Sequence, residues 1–189
     1  MIDKLLCIVQ SYDQPACREL QIWLSHHNVK WTYGEQHYTI DVTKNRIVKT
    51  FLDLREFDHL LCIANDMVPL SDTKNILEAP GDLVYCESLS GAGQLQHAGD
   101  YQFNAAAWRA SRRCLEAMGA PWFKMGTSAD LCQNSYCDCN HFLRKSQEAG
   151  YDSKPVAHMG HATRMILIPD PEKPREKWQA IFPNQWKVS

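Results

Sequence analysis

The run Phe57-Asp58-His59-Leu60-Leu61-Cys62-Ile63-Ala64-Asn65-Asp66-Met67-Val68-Pro69 constrains the fold more than any other stretch of this chain. Its apolar centre is short and unbroken, the pattern of a buried strand covered on both faces, and it ends abruptly in a carboxylate. In open α/β sheets, ligands bind in the crevice outside the carboxyl ends of the strands. Asp66 is therefore placed to hold a divalent cation against a phosphate. The alternative is that Asp66 only caps the turn that Pro69 introduces.

The surrounding elements fit a layered sheet. Lys4 to Gln10 reads as a first buried strand, and Ser11-Tyr12-Asp13 opens a helix with Pro15 near its first turn, running to about His27. Val29 to Glu35 is strand-like. Val42 to Leu54 carries Ile47, Val48, Phe51 and Leu52 at helical spacing, with Asp41 or Thr43 as the cap. Strand, helix, strand, helix, strand is the order of a parallel sheet. Beyond Asp66 the expectations are a short helix over Ser71 to Glu78, a strand over Asp82 to Glu87, a helix over Ala105 to Met118 ending at Gly119, and a helix over Asp138 to Ala149 with Gly150 at its C-terminal cap. Ser88 to Asp100 reads as a flexible loop on the acceptor side of a site.

At 189 residues and 44% hydrophobic, the chain can bury one good core, so a single domain over 1–168 is expected, with a tail over 169–189 strapped across it by Trp178, Phe182 and Trp186. A net charge of −2 gives no overall basic field, which disfavours a nucleic-acid partner. The eight cysteines are diluted, and Cys7 and Cys62 fall in apolar runs, which fits a reducing, cytoplasmic setting. Leu5-Leu6-Cys7-Ile8-Val9 is far too short for a membrane span.

Further motifs follow in a telling order: Asn45-Arg46-Ile47-Val48-Lys49-Thr50-Phe51-Leu52, Phe103 to Arg112, Pro121-Trp122-Phe123, Asp138 with Phe142 four residues later, Glu148-Ala149-Gly150-Tyr151, and His158-Met159-Gly160-His161. In this order and spacing the chain resembles, over roughly residues 4 to 165, the nucleotide-diphospho-sugar glycosyltransferases of the glycosyltransferase-A fold, especially compact members related to the large inverting family. The resemblance implies a single-domain, Rossmann-like α/β fold with a mostly parallel central sheet flanked by helices. It also implies a UDP- or GDP-sugar donor, a manganese or magnesium ion, and an acceptor hydroxyl on a glycan, lipid, peptide or modified base.

The site residues it implies are specific. A nucleoside diphosphate leaves poorly unless its developing charge is neutralised, and hard cations held by oxygen ligands do this. In the family an Asp-x-Asp motif holds the cation; here Ala64-Asn65-Asp66 keeps only the second acid, with Asn65 as a possible substitute for the first. His158 or His161 completes the metal site, and a histidine ligand favours manganese. Ser11, Tyr12 and Asp13 face the nucleobase, Tyr12 by stacking, and Lys44-Asn45 faces the diphosphate. Asp138 is the first candidate for the base that takes the acceptor's proton, with Glu87 in reserve; Asp138 as a plain helix cap is the competing role. Trp108 and Trp122 are candidates for sugar stacking or for the core.

Two rival readings stand beside this one. Cys132, Cys137, Cys139 and His141 are four soft ligands within ten residues and suggest a structural zinc, although Cys-x-Cys is tighter than the usual spacing. The replacement of acids by Ala64 and Cys139 suggests a nucleotide-sugar-binding protein without turnover.

Overall fold

The two most continuously apolar runs, Leu5–Gln10 (β1) and His59–Ala64 (β3), lie side by side as parallel strands, with Leu6 opposite Leu60 and Val9 opposite Ile63. The structure is a computed structural model that describes residues 4–11, 14–34, 39–89, 103, 105–127, 134–136 and 138–161. The tail over 169–189, most of the expected acceptor loop, Tyr12, Asp13, Cys132 and Cys137 lie outside these residues.

Between β1 and β3 come α1 (Arg18–His26), β2 (Lys30–Gly34) and α2 (Ile40–Asp53). They are followed by β4 (Met67–Pro69), a 3-10 turn over Thr73–Leu77, β5 (Leu83–Leu89), β6 (Ala107–Ser111), α3 (Arg112–Met118), β7 (Gly126–Thr127), β8 (Asn134–Tyr136), α4 (Asp138–Glu148) and β9 (Ser153–His161). Seven strands form one sheet in the order β2-β1-β3-β6-β5-β9-β4, and β7 pairs with β8 apart from it. Strands β1, β2, β3, β5 and β9 run one way; β6 and β4 run against their neighbours. This is the mixed, mostly parallel α/β sheet that the element order implies.

Both faces of the sheet are covered, which is why β1 and β3 are apolar throughout rather than alternating. On one face Leu6, Ile8, Leu60, Cys62, Tyr85 and Trp108 pack against Phe51 of α2, Leu115 of α3 and Phe142 of α4. On the other, Cys7, Val9, Leu61, Ile63 and Val84 pack against Leu20 and Leu24 of α1 and against Ile76 and Leu77 of the 3-10 turn. No disulfide joins the described cysteines, and no helix among the described residues is long and apolar enough to cross a membrane.

The expected helix over Ala105 to Met118 is wrong in its first half. Ala107–Ser111 is instead a fully buried strand, antiparallel to both β3 and β5, with Trp108 opposite Cys62 on one side and Tyr85 on the other. Alanine favours helix in isolation, but its small side chain also suits a strand enclosed on both faces, and tertiary burial decides. The helix begins only at Arg112, where the Ser111 hydroxyl accepts from the Cys114 amide. The expected Ser71–Glu78 helix contracts to the 3-10 turn. Helix α1 starts after Cys17, leaving Pro15 ahead of it rather than in its first turn, and Thr39 rather than Asp41 or Thr43 precedes α2.

Arg112 locks the join between helices and sheet. Its guanidinium donates to the carbonyls of Phe51, Leu52, Leu54 and Phe57 at 2.7–3.1 Å and lies 4.7 Å from the Phe51 ring centroid. These carbonyls lie at the C-terminal end of α2 and on the approach to β3, where the helix runs out of amide donors, although Phe51 also accepts from the Leu54 amide. Arg112→Ala is expected to lower the unfolding free energy by about 2–3 kcal/mol in urea, and Arg112→Lys to recover little of it, because one ammonium cannot span the same acceptors.

Candidate active site

Strand β3 ends in a turn at Asn65 and Asp66, which leads into β4. Asn65 is a backbone clip: its amide donates to the Gln10 carbonyl at the end of β1, its carbonyl accepts from the Cys17 amide, and its side chain donates to the Gln14 carbonyl at 3.0 Å. The Ser11 hydroxyl also donates to Gln14, so the loop after β1 is tied to the end of β3 from both sides. Asn65 is thus occupied with the loop beneath the expected donor site.

One residue on, the chain turns into β4, which pairs with the end of β9 so that Met67 lies opposite His161. This brings the His161 Nδ1 to 3.1 Å from the Asp66 Oδ2, with side chains 16% and 22% exposed. Nearby, Cys17 donates its thiol to the Met67 carbonyl at 3.3 Å, and burial pushes that thiol up to about 11.

His158 lies elsewhere. Residues three apart in a strand point to opposite faces, and Ala157 and Met159, in phase with His161, belong to the α1 side of the core. The His158 ring meets Asp72 and Glu87 instead: Nδ1 is 2.7 Å from the Asp72 Oδ2, and Nε2 is 3.2 Å from the Glu87 Oε2. Of the two candidate histidines, only His161 is beside Asp66. Asp72 carried no distinguishing signal in the sequence, since Ser71-Asp72-Thr73 reads simply as the start of a short helix.

The diphosphate and base candidates occupy one another. The Lys44 Nζ is 2.6 Å from the Asp138 Oδ2, both side chains are less than a tenth exposed, and the ammonium sits 5.3 Å from the Phe123 ring centroid. Lys44 is neither on a solvated helix face nor open to a diphosphate, and Asp138 does not stand in an open cleft. Asn45 is equally committed: its amide nitrogen donates to the Asp41 and Phe123 carbonyls, and its oxygen accepts from the Trp122 and Phe123 amides, all at 2.7–3.0 Å. Its role is to hold the segment at Trp122 and Phe123. Trp108 and Trp122 are core residues, the latter donating its indole N–H to the Leu115 carbonyl. Of the zinc candidates, Cys139 is buried with its thiol toward Asp138 Oδ1, and the His141 Nε2 lies 3.3 Å from the Pro121 carbonyl.

Among the described residues no group of three or more His, Cys, Asp or Glu side chains is arranged to hold a metal ion. Asp66 and His161 offer two donors. A cation shared with a diphosphate needs no more than one or two from the protein, since phosphate oxygens and water complete its shell, and adjacent ligands of an octahedral cation stand ~3 Å apart. The 3.1 Å separation of Nδ1 and Oδ2 fits that requirement.

No protein-family model matches this chain, and no curated protein matches it. Solved structures do. Protein A197 from STIV is similar at 12% identity over 82% of this chain and 83% of that one, with a TM-score of 0.62. A Drosophila β-1,4-galactosyltransferase 7 mutant, in complex with manganese, UDP-Gal and xylobiose, is similar at 13% identity over 93% and 79%, with a TM-score of 0.56. A glycosyltransferase involved in glycosylation of the major capsid of PBCV-1 is similar at 11% identity over 93% and 98%, with a TM-score of 0.51. The fold is similar to that of the glycosyltransferase-A enzymes. At identities this low it is the fold that is shared, and the chemistry has to be argued from the residues.

The buried pair gives a sharp expectation. Lys44→Met alone leaves the Asp138 carboxylate uncompensated and should cost about 3–5 kcal/mol of stability, whereas Lys44→Met with Asp138→Leu should cost less than the single change. Chemical denaturation of the two variants measures this. A double variant worse than Lys44→Met would mean that the pair contributes more than mutual neutralisation.

Proposed function

We propose that this chain is a nucleotide-sugar-dependent glycosyltransferase that moves a sugar from a UDP- or GDP-sugar to an acceptor hydroxyl, with manganese or magnesium held by Asp66 and His161. The observation that carries the reading is the carboxylate–imidazole pair, 3.1 Å apart, at the carboxyl end of an interior strand in a sheet similar to those of glycosyltransferases. The cation, when bound, neutralises charge on the departing diphosphate. The loop that begins at Ser11 lies on the nucleoside side, clipped to the site by Asn65.

The acceptor's proton goes to a carboxylate, and Glu87 is the better choice than Asp138. Glu87 lies near the carboxyl end of β5 with a quarter of its side chain exposed, whereas the Asp138 carboxylate is buried against Lys44. A base on the acceptor side, opposite the leaving group, supports transfer with inversion. A second reading, a nucleotide-sugar binder without turnover, is favoured by Ala64 standing where the family has an acid.

Calorimetric titration of UDP and GDP, with and without manganese, followed by donor hydrolysis and transfer assays, tests the proposal. Manganese-dependent binding is expected, and Asp66→Asn or His161→Ala should weaken it at least about tenfold while leaving stability within about 0.5 kcal/mol. Binding that ignores both manganese and these substitutions would overturn the metal site. Binding with neither hydrolysis nor transfer for any nucleotide sugar would favour the binder.

A further inference from the structure

The Asp72–His158–Glu87 cluster is more ordered than its exposure explains. Asp72 precedes the 3-10 turn and accepts with both oxygens from one residue: Oδ1 from the His158 backbone N–H at 3.2 Å, and Oδ2 from its Nδ1–H at 2.7 Å. Thr73 donates its hydroxyl to the His158 carbonyl at 2.7 Å and accepts from the Leu70 amide. His158 is therefore gripped by backbone and ring before it reaches Glu87. An ionised carboxylate only accepts, so a ring with Asp72 on Nδ1 and the Glu87 Oε2 on Nε2, 3.2 Å away, bonds both only as the imidazolium, with a proton on each nitrogen. Glu87 and His158 are register partners on adjacent parallel strands, which fixes their common face. The three side chains are 25–43% exposed, a setting in which ion pairs add little stability. Bracing the fold is a poor account of so many directed bonds.

We propose that Asp72 and His158 are positioning residues that hold the Glu87 carboxylate as the general base of sugar transfer. This rests on the transferase reading above. With Nε2–H bonded to Oε2, the second oxygen of Glu87 is left to take the proton of the acceptor hydroxyl. The acceptor oxygen forms its bond to the anomeric carbon of the donor sugar, and the bond from that carbon to the diphosphate oxygen breaks with its electron pair. The products are the glycoside, the nucleoside diphosphate and a protonated Glu87, which returns its proton to solvent. A glutamate on three rotatable bonds is a loosely aimed base, and fixing it in advance turns a rare geometry into the resting one. Both nitrogens of His158 are engaged in this arrangement, which leaves the cation to Asp66 and His161.

The test uses the full chain, four single variants, Glu87→Gln, His158→Ala, His158→Gln and Asp72→Ala, and the double variant of Glu87→Gln with His158→Ala, with kcat, acceptor KM, manganese-dependent UDP affinity and Tm measured for each. Glu87→Gln and His158→Ala should each lower kcat about 10²-fold with UDP affinity unchanged. His158→Gln should recover most of that loss, because its amide N–H still reaches Glu87, and Asp72→Ala should lower kcat less than His158→Ala. His158→Ala added to Glu87→Gln should cost nothing further. Parallel loss of manganese-dependent UDP affinity in both His158 variants would make His158 a cation ligand and overturn the proposal. So would a fall in Tm with kcat unchanged, or additive losses in the double variant. If Glu87→Gln transfers at the full rate, the relay fails and the transferase reading survives; if the unmodified chain neither binds UDP with manganese nor turns over any donor, the transferase reading itself falls.

Discussion

The two-residue turn at Asn65 and Asp66 is the constraint on which the functional edge of the molecule depends. Strand β3 is enclosed on both faces, so its backbone has no freedom before Ala64, and β4 must begin at Met67 to pair with β9. Everything that meets at this edge is referred to those two residues. The end of β1 is bonded to the Asn65 amide, the entry to α1 to its carbonyl, and the last turn of β9 is brought in through β4. A single displaced residue here would move the loop after β1, a carboxylate and an imidazole together, which is how a sheet gives precision to groups on short connections.

The parts of the fold that were legible in the sequence are those set by local periodicity. The apolar runs of β1 and β3 and the 3.6-residue pattern of α2 specify two parallel crossovers directly. Strand β6 was not legible, because Ala107 and Ala110 satisfy a helical pattern and a doubly buried strand equally well; only the β3 and β5 backbones on either side decide. The pairing of β4 with β9 was equally hidden, since no local signal links Met67 to His161. The place of Asp66 just after a buried strand was legible, because an abrupt carboxylate after an apolar run is a local signal. That of Asp72 was not, because its partner comes from β9.

Lys44 and Asp138 carried a signal that the family resemblance obscured. In α2, Lys44 is three and four residues from Ile47 and Val48, on the stripe that continues to Phe51, and it is buried with them. In α4, Asp138 is four residues from Phe142 and eight from Ser146, again on the buried face. Helical geometry thus placed a lone cation and a lone anion on two stripes that face the same core. Charges so placed neutralise one another, because the desolvation of either alone is severe. The diphosphate contact implied by position gives way to a brace between helices.

With that pair withdrawn from the site, the charge balance at the carboxyl edge changes character. Among the described residues Asp66 pairs with His161, and Asp72 and Glu87 both pair with His158, three carboxylates and two imidazoles. The separation of the two histidines onto opposite faces of β9 keeps the two groups of side chains apart. Asp66 and His161 form a pair spaced for a shared ion, while Glu87 is held by a histidine whose other nitrogen is already bound. Under the proposed transferase reading, a spacing of three residues along one strand, an odd number, is enough to keep a metal ligand and a base from competing for the same ring.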